Sequence, residues 1–209
     1  MKVTKFPQSC LLIQNNGHTI LIDPGVHFLQ SHSLDELKNV EAVLYTHQHS
    51  DHYDGQVANA LLEQGVPIFA NGATARLIGT EKVTVVNDGD SFTAGGIEVI
   101  ARELPHCLLP DGSEGPQNTG YVMDGVLFHP GDGKELDGLQ INNLALPITG
   151  PDISILDAIN FAKQVGAKVA IPIHYDGIPA DPNVFADYAS KGQAEFEVRV
   201  LADGESTDI

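Results

Sequence analysis

Three histidines and one aspartate lie within six consecutive positions, in the segment THQHSDH at residues 46–52. Imidazole nitrogens and carboxylate oxygens are ligands that Zn²⁺, Mn²⁺ and iron accept in proteins. The apolar segment AVLYT runs directly into these residues, so the chain leaves a strand and turns sharply. In such a loop His47 and His49 can face one position, while Asp51 and His52 serve an adjacent one. The segment therefore predicts a metal site.

Possible ligands also follow other apolar segments of the chain. TILID ends at Asp23, AVLYT leads into His47, VLFHPGD ends at Asp132, and KVAIPIH ends at His174. Open α/β sheets collect their ligand sites at the carboxyl ends of strands, because several loops converge there on a rigid base. We therefore expect these four residues to contribute to one shared site.

The segment THQHSDH resembles the HxHxDH motif of the metallo-β-lactamase superfamily, and the other motifs of that superfamily have matches in order along nearly the whole chain. These matches are LIDPG with Asp23, ELPHC with His106, HPGD with Asp132 and IPIHYDG with His174. The resemblance implies one α/β (α+β) domain over residues 1–209, folded as an αββα sandwich with its site at one edge between two sheets. HPGD and IPIH are most similar to a short branch without inserted domains, which includes the L-ascorbate-6-phosphate lactonase.

Carried over residue by residue, the resemblance implies two divalent ions held by five histidines and two aspartates. One ion would be bound by His47, His49 and His106, and the other by Asp51, His52 and His174. Asp132 would bridge the two ions, and Asp23 would orient the histidine loop through hydrogen bonds. Zinc is the first expectation, and manganese or iron suit the same ligands.

The implied enzyme is a metal-dependent hydrolase. Two divalent ions about 3.5–4 Å apart share a water molecule and lower its pKa to about 7. A metal-bound hydroxide would then attack a small lactone, ester or phosphoester. Asp51 and Asp132 are the predicted catalytic residues, since Asp132 bridges the ions and Asp51, a ligand first, is also placed to accept a proton.

Two other functions stay open, namely a metal-dependent oxidoreductase, such as a sulfur dioxygenase with a single iron, and a metal-binding protein without catalysis. The complete ligand set with its bridging Asp132 favours the hydrolase over both. Gln48 stands where the glyoxalase II branch usually carries histidine, and His49 stands where the flavo-diiron branch carries glutamate. These two departures weaken the interpretations as a thioesterase and as an oxygen-reducing di-iron protein.

The elements that must position these residues begin with β-rich, hairpin-linked segments and one helical insertion, and end in βαβ order. Asn16-Gly17 and Asp124-Gly125 are strong hairpin signals. Strands are predicted over 3–6, 10–14, 19–23, 42–46, 67–70, 83–86, 91–94, 97–103, 119–123, 126–129, 143–148, 168–173 and 196–201. Helices are predicted over 33–38, 56–64, 154–165 and 183–190. Pattern alone predicts a mixed α/β or α+β domain with its sheets covered by helices.

The chain is strongly acidic, with 28 Asp and Glu against 11 Lys and Arg and a net charge of −17. Such a charge repels phosphate backbones and anionic membranes. We therefore expect a small-molecule substrate, with neither a nucleic acid nor a membrane as partner. The sequence shows no signal peptide and no apolar run of membrane-spanning length, which predicts a cytoplasmic protein. Cys10 and Cys107 are too few for a disulfide scaffold and are expected to be thiols.

Two Gly- and Pro-rich polar segments, 108–118 and 176–182, are expected beside the site. Each is either a plain connection or a substrate lid, and the sequence does not decide between the two. His27 follows LIDPG and is a candidate for the mouth of the cleft.

Overall fold

Two seven-stranded sheets face each other in the structure, a computed structural model in which residues 1–177, 180–192 and 194–209 are described. Helices cover the outer face of each sheet. The predicted fold class, an α/β domain built as an αββα sandwich, is confirmed. None of the helices in the described residues has the length and apolar run that a membrane span requires.

The first sheet has the strand order β14-β1-β2-β3-β4-β5-β6. Its strands are β1 Lys2–Lys5, β2 Leu11–Asn15, β3 His18–Ile22, β4 Ala42–Tyr45, β5 Ile68–Ala70, β6 Val83–Val85 and β14 Ser206–Asp208. Strands β14, β1, β2 and β3 pair antiparallel, whereas β3 to β6 pair parallel. The predicted turn at Asn16-Gly17 joins β2 to β3, with both residues at positive φ.

The second sheet repeats this pattern in the order β13-β12-β11-β10-β9-β8-β7. Its strands are β7 Ser91–Ala94, β8 Ile97–Glu103, β9 Thr119–Met123, β10 Leu127–His129, β11 Asn143–Pro147, β12 Val169–Ile173 and β13 Glu197–Val198. Strands β7 to β10 form an antiparallel meander, and β10 to β13 pair parallel. In both sheets, therefore, parallel strands direct their carboxyl ends to one edge.

The helices are short, and all but the first have a side-chain cap at the N-terminus. They are α1 Phe28–Ser31, α2 Gly55–Glu63, α3 Gly72–Ile78, α4 Ile155–Gln164 and α5 Pro182–Lys191, with 3₁₀ helices at Leu34–Leu37 and Thr80–Lys82. Asp54, Asn71, Ser154 and Asp181 cap α2 to α5 by accepting backbone N–H groups of the first turn. Helices α2 and α3 pack on the first sheet, and α4 and α5 pack on the second.

The core between the sheets is apolar and fully buried. Ile20 and Leu44 of the first sheet meet Val99, Tyr121 and Ile171 of the second in one cluster. Burial of each such side chain stabilises the folded state by about 1.5–3 kcal/mol, because apolar surface is removed from water. This core fixes the position of the parallel strands of one sheet relative to those of the other, and with them the carboxyl ends of these strands.

Several predicted elements differ from the structure. The helix predicted over 33–38 is a 3₁₀ helix at Leu34–Leu37, although its capping box of Ser33 and Glu36 does form. The strand predicted over 196–201 pairs only at Glu197–Val198. Helices α1 and α3 and strand β14 were not predicted. Within the described part of the chain, Cys10 and Cys107 are buried thiols that form no disulfide.

Candidate metal centre

The predicted site residues converge at the edge where the parallel strands of both sheets end. Asp23 directly follows β3, and residues 46–52 follow β4. Asp132 lies three residues beyond β10, and His174 directly follows β12. His106, beyond β8, reaches the same edge because it forms a β-bridge with Gly133. The predicted convergence at strand ends is what the structure shows.

Seven of these side chains form two groups whose possible ligand atoms lie within 4.8 Å of one another. The first group is His47, His49, His106 and Asp132, and the second is Asp51, His52 and His174. Apart from Asp132, which was predicted to bridge both ions and is grouped here with the first three histidines, the groups match the two predicted sets. The roles of the residues as ligands stay a prediction, supported by this geometry.

Asp132 belongs to the first group and also contacts the second. Its Oδ2 is 3.3 Å from His106 Nε2 and 3.1 Å from His174 Nε2, and its Oδ1 is 3.0 Å from His52 Nε2. The side chain is 3% exposed. One buried carboxylate thus touches imidazoles of both groups, as a bridge between two cations must.

Unpartnered buried atoms test whether these residues suit cations. Among the described residues, His52 Nε2, His174 Nε2 and Asp132 Oδ1 have no hydrogen-bond partner. The 3.0 Å approach of His52 Nε2 to Asp132 Oδ1 therefore lacks hydrogen-bond geometry. Leaving buried polar atoms unpaired costs about 1–3 kcal/mol each. A divalent cation would accept the lone pairs of the histidine nitrogens and of the carboxylate oxygen together. The residues therefore fit the metal that the sequence predicts.

In two of the histidines Nε2 faces the centre, and a contact of Nδ1 with the backbone sets the orientation of the ring. The Nδ1 atoms of His106 and His174 lie in hydrogen-bond contact with the backbone oxygens of Cys107 and Thr149, the latter at 2.7 Å. An Nδ1–H that donates to these oxygens leaves Nε2 with its lone pair for a metal. His49 instead presents Nδ1, which is 3.2 Å from His47 Nε2.

Asp23 contacts the histidine loop, and its orienting role stays a prediction that these contacts support. Its Oδ2 is 2.7 Å from His52 Nδ1 and accepts the Thr46 hydroxyl at 2.6 Å, while its Oδ1 accepts Thr46 N–H at 2.8 Å. The Thr46 hydroxyl is also 3.0 Å from His47 Nδ1. Asp23 is fully buried, so these contacts are shielded from water.

The carboxylates and histidines of the centre shift one another's pKa values. Burial alone would raise the pKa of the Asp132 carboxyl, but His52 and His174 outweigh burial and hold that pKa well below its usual value. Burial likewise opposes protonation of His174, but Asp132 and Asp51 outweigh it and raise the His174 pKa to about 10. Because a histidine must lose its proton to bind a metal, uptake of a cation must displace a proton from His174.

Two loops of the centre are locked together at Gly25. A Cβ at Gly25 would collide with the backbone carbonyl of Asp51 and come within 2.7 Å of His52 N. The neighbouring Val26 N–H donates to the Ser50 carbonyl at 2.8 Å. The glycine of LIDPG is therefore needed for close approach to the ligand loop.

Gln8 contacts the centre through Asp51, although no pattern in the sequence singles it out. It lies in the loop between β1 and β2, is 1% exposed, and has a φ of 64°. Its Nε2 donates to Asp51 Oδ2 at 3.0 Å. Two site residues, Asp23 and His174, share this positive φ, which is rare outside glycine and concentrates at functional sites.

The structure describes one of the two Gly- and Pro-rich segments in full and the other only in part. Segment 108–118 lies beside the centre, because a Cβ at Gly115 would collide with the His106 ring. Segment 176–182 includes residues 178 and 179, which lie outside the described residues, so the structure does not test the alternatives of a plain connection and a lid. His27 lies next to Gly177, near this second segment.

The structure is similar to solved metallo-hydrolases. Igni18, described as a metallo hydrolase from the archaeon Ignicoccus hospitalis, has a TM-score of 0.81 at 23% identity. The similarity covers 100% of this chain and 98% of that protein. At this level of identity it supports the fold alone.

Relatives are also found by sequence. A UPF0173 metal-dependent hydrolase of Lysinibacillus sphaericus is 26% identical and covers 100% of this chain and 99% of the relative. Protein Rv0786c of Mycobacterium tuberculosis is 31% identical over 181 residues, which are 83% of this chain and 84% of the relative. The predicted class of enzyme, a metal-dependent hydrolase, agrees with the name of the first relative.

The family model for the Beta-lactamase superfamily domain matches residues 2–174. That range begins at β1 and ends at His174, so it includes every residue of the two ligand groups. The similarity that the sequence motifs indicated is thereby confirmed, and the chain belongs to the beta-lactamase superfamily.

Proposed function

We propose that this metal-dependent hydrolase binds two divalent cations side by side and hydrolyses a small lactone, ester or phosphoester. The observation that carries the proposal is the placement of Asp132. Its Oδ2 contacts His106 of the first group and His174 of the second, and both Asp132 Oδ1 and His52 Nε2 are buried without a hydrogen-bond partner in the described part of the chain.

Asp132 and Asp51 have different roles in the proposed reaction. When bound, divalent cations held by the residues of the two ligand groups would supply a hydroxide at neutral pH and would stabilise the negative charge that develops on the attacked oxygen. Asp132, at 3% exposure, fixes the spacing of the two groups. Asp51 is 28% exposed, so it is the carboxylate that can exchange a proton with solvent or with a leaving group.

The cleft beside His106 favours an uncharged substrate over a phosphoester. It has a volume of about 800 Å³, and the side chains of Asp88, Glu103 and Glu114 line it. Among the described residues that line it there is no lysine or arginine. Carboxylates repel an anionic substrate, whereas a lactone or a neutral ester carries no charge to be repelled.

A metal-removal experiment tests the proposal. Treatment with a chelator is expected to abolish hydrolysis of a lactone or an activated ester, and Zn²⁺ or Mn²⁺ is expected to restore it. Oxygen uptake should stay at the level of the buffer throughout. A metal-loaded protein that consumes oxygen and hydrolyses no lactone, ester or phosphoester would instead be an oxidoreductase.

The charge of the cleft is tested separately by Glu114→Gln. This change removes one negative charge from the lining, so it should raise kcat/KM for an activated phosphodiester more than for a neutral ester. Glu63→Gln on α2 removes the same charge outside the cleft lining and should leave that ratio unchanged. An equal ratio in the two variants and the unsubstituted protein would mean that the cleft does not select by charge.

A further inference from the structure

Gln8 joins the Asp51 ligand to the loop that carries His174. Its Nε2 donates to Asp51 Oδ2 at 3.0 Å, and its backbone carbonyl accepts from His174 N–H at 3.1 Å. Its backbone N–H donates to Asp176 Oδ2 at 2.6 Å. One residue therefore contacts two of the three members of the second ligand group.

The orientation of the Gln8 amide is fixed by its surroundings. Its Oε1 accepts the backbone N–H groups of Asp176 and Gly177, at 3.0 and 2.9 Å. A side-chain amide has one acceptor oxygen and one donor nitrogen, and backbone N–H groups can only pair with the oxygen. The NH₂ group must then face Asp51, where a carboxylate with about four lone-pair sites can accept it and still bind a cation.

The loop after β12 has a second anchor that does not depend on the Gln8 side chain. Lys5, whose side chain is 1% exposed, forms an ion pair with Asp176 at 2.9 Å and lies 4.5 Å from the centre of the Tyr175 ring. Lys5 also donates to the carbonyl of Phe6 at 3.0 Å. The Gln8 side chain adds to this anchor by accepting the Asp176 and Gly177 N–H groups, and it also supplies a donor to Asp51.

We propose that Gln8 is a positioning residue that fixes the Asp51 carboxylate toward the cation shared with His52 and His174. The proposal rests on the two-cation function proposed above. Partners behind metal ligands typically change metal affinity by about 10–100-fold. Gln8 should therefore determine the affinity of the second group for its ion and have no effect on the ion bound by His47, His49 and His106.

The test measures the affinity of each Zn²⁺ by competition with a chromophoric chelator. Gln8→Met is close to the size of glutamine and removes both the donor on Asp51 and the acceptor of the Asp176 and Gly177 N–H groups. We expect it to weaken one of the two ions about 10–100-fold and leave the other unchanged. Should Gln8→Met fail to fold, Gln8→Asn keeps an amide but withdraws it from Asp51, and the same selective loss is expected.

A second background separates positioning from a general loss of structure. His174→Ala removes one ligand of the second group, so adding Gln8→Met to it should cause no further loss of affinity for the remaining ion. Asn143→Leu, which removes a side-chain amide that donates to the Val126 carbonyl within the second sheet, is the matched control and should leave both affinities unchanged.

The outcomes distinguish this inference from the two-cation function. If Gln8→Met binds both ions like the unsubstituted protein, or weakens both ions equally, Gln8 does not position Asp51 and the inference is overturned. If the unsubstituted protein binds a single ion, the two-cation function fails. The inference then survives only if Gln8→Met selectively weakens that ion relative to Asn143→Leu.

Discussion

Asp23 contacts the ligand loop without belonging to either ligand group. Its carboxylate receives the Thr46 backbone and hydroxyl groups and contacts His52 Nδ1. Burial strengthens each of these contacts, because water does not compete for them. His52 is consequently held with Nε2 directed toward Asp132 and not toward solvent.

Asp23→Asn should therefore lower metal affinity. The change keeps the size of the side chain but removes the charge that holds His52 Nδ1–H, so His52 loses its fixed orientation. We expect about a 10–100-fold loss of Zn²⁺ affinity, measured by chelator competition. Asp35→Asn, at an exposed carboxylate paired with Lys38, is the control and should show wild-type affinity. Equal affinity in both variants would mean that Asp23 has no orienting role.

At this scale the sequence was most informative about the ligands and least informative about Gln8. The HxHxDH segment is a dense local pattern of residue types that bind metals, so it could be recognised without a structure. Gln8 has no such pattern. Its partners Asp51 and Asp176 lie 43 and 168 positions away, and only the folded chain brings them together.

At the scale of elements, the loop after β3 packs directly on the ligand loop after β4. Gly25→Ala would place a methyl group against the Asp51 carbonyl and His52 N–H. Overpacking of this kind costs about 1–3 kcal/mol, and it should also displace Asp51 and His52 and weaken metal binding. Chemical denaturation and chelator competition measure the two effects.

Gly72→Ala is the matched control for that substitution. Gly72 starts α3, and a Cβ there would lie 3.6 Å from the Arg76 side chain, which is ordinary contact. Alanine is favoured over glycine in helices by up to about 1 kcal/mol, so this variant should be as stable as the unsubstituted protein or slightly more stable. A tolerated Gly25→Ala with normal metal affinity would refute the tight packing of the two loops.

His32 ties helix α1 to the turn before β14. Its Nδ1 is 2.9 Å from Glu36 and its Nε2 is 2.6 Å from Asp203. Burial disfavours the charged ring, but the hydrogen bonds to Asp203 and Glu36 outweigh burial and raise the His32 pKa. The stabilisation by protonated His32 is thus fully present below the unfolded pKa of about 6.5 and is lost as pH rises through the folded pKa.

His32→Gln should accordingly be more destabilising at about pH 5.5 than at about pH 9, which lie on either side of the unfolded value. The measurement is the difference in unfolding free energy between the variant and the unsubstituted protein at each pH. In an Asp203→Asn background the pH dependence of this difference should shrink. A difference that is independent of pH would show that the ion pairs of His32 do not contribute.

Strands joined by clear turns could be predicted, whereas elements that depend on distant partners could not. Asn16-Gly17 and Asp124-Gly125 identify hairpins because their residues accept positive φ, as all four do here. Strand β14 is short and partly exposed, and only its pairing with β1 makes it a strand. Helix α3 buries only Thr74 and Ala75, so it lacks an apolar stripe that a sequence pattern would reveal.

For the whole molecule, the seam between the two sheets determines where the centre lies. Within the described residues each sheet has three antiparallel and three parallel pairings, and the parallel strands of both end at the same edge. His47 comes from the first sheet, and Asp132 and His174 come from the second. The centre is thus assembled only when the two sheets pack, which couples metal binding to folding.

The overall charge of −17 leads to a prediction about partners. Because binding to nucleic acid depends on neutralising phosphates with lysine and arginine, affinity at physiological salt should be negligible. A gel-shift titration with single- and double-stranded DNA and with RNA should show free probe throughout. Tight binding that weakens steeply with salt would contradict the expectation of a small-molecule substrate.

The most direct test of the account is the number of metal ions per chain, determined by mass spectrometry on the unsubstituted protein and on Asp132→Asn. With a bridging carboxylate the unsubstituted protein should hold about two ions. Without its charge the two cations repel each other more strongly, so Asp132→Asn should fold normally and retain about one. Asp137→Asn, at an exposed carboxylate that accepts from Gln164, should retain about two. A full complement of two ions in Asp132→Asn, or a single ion in the unsubstituted protein, would contradict the bridged two-cation centre.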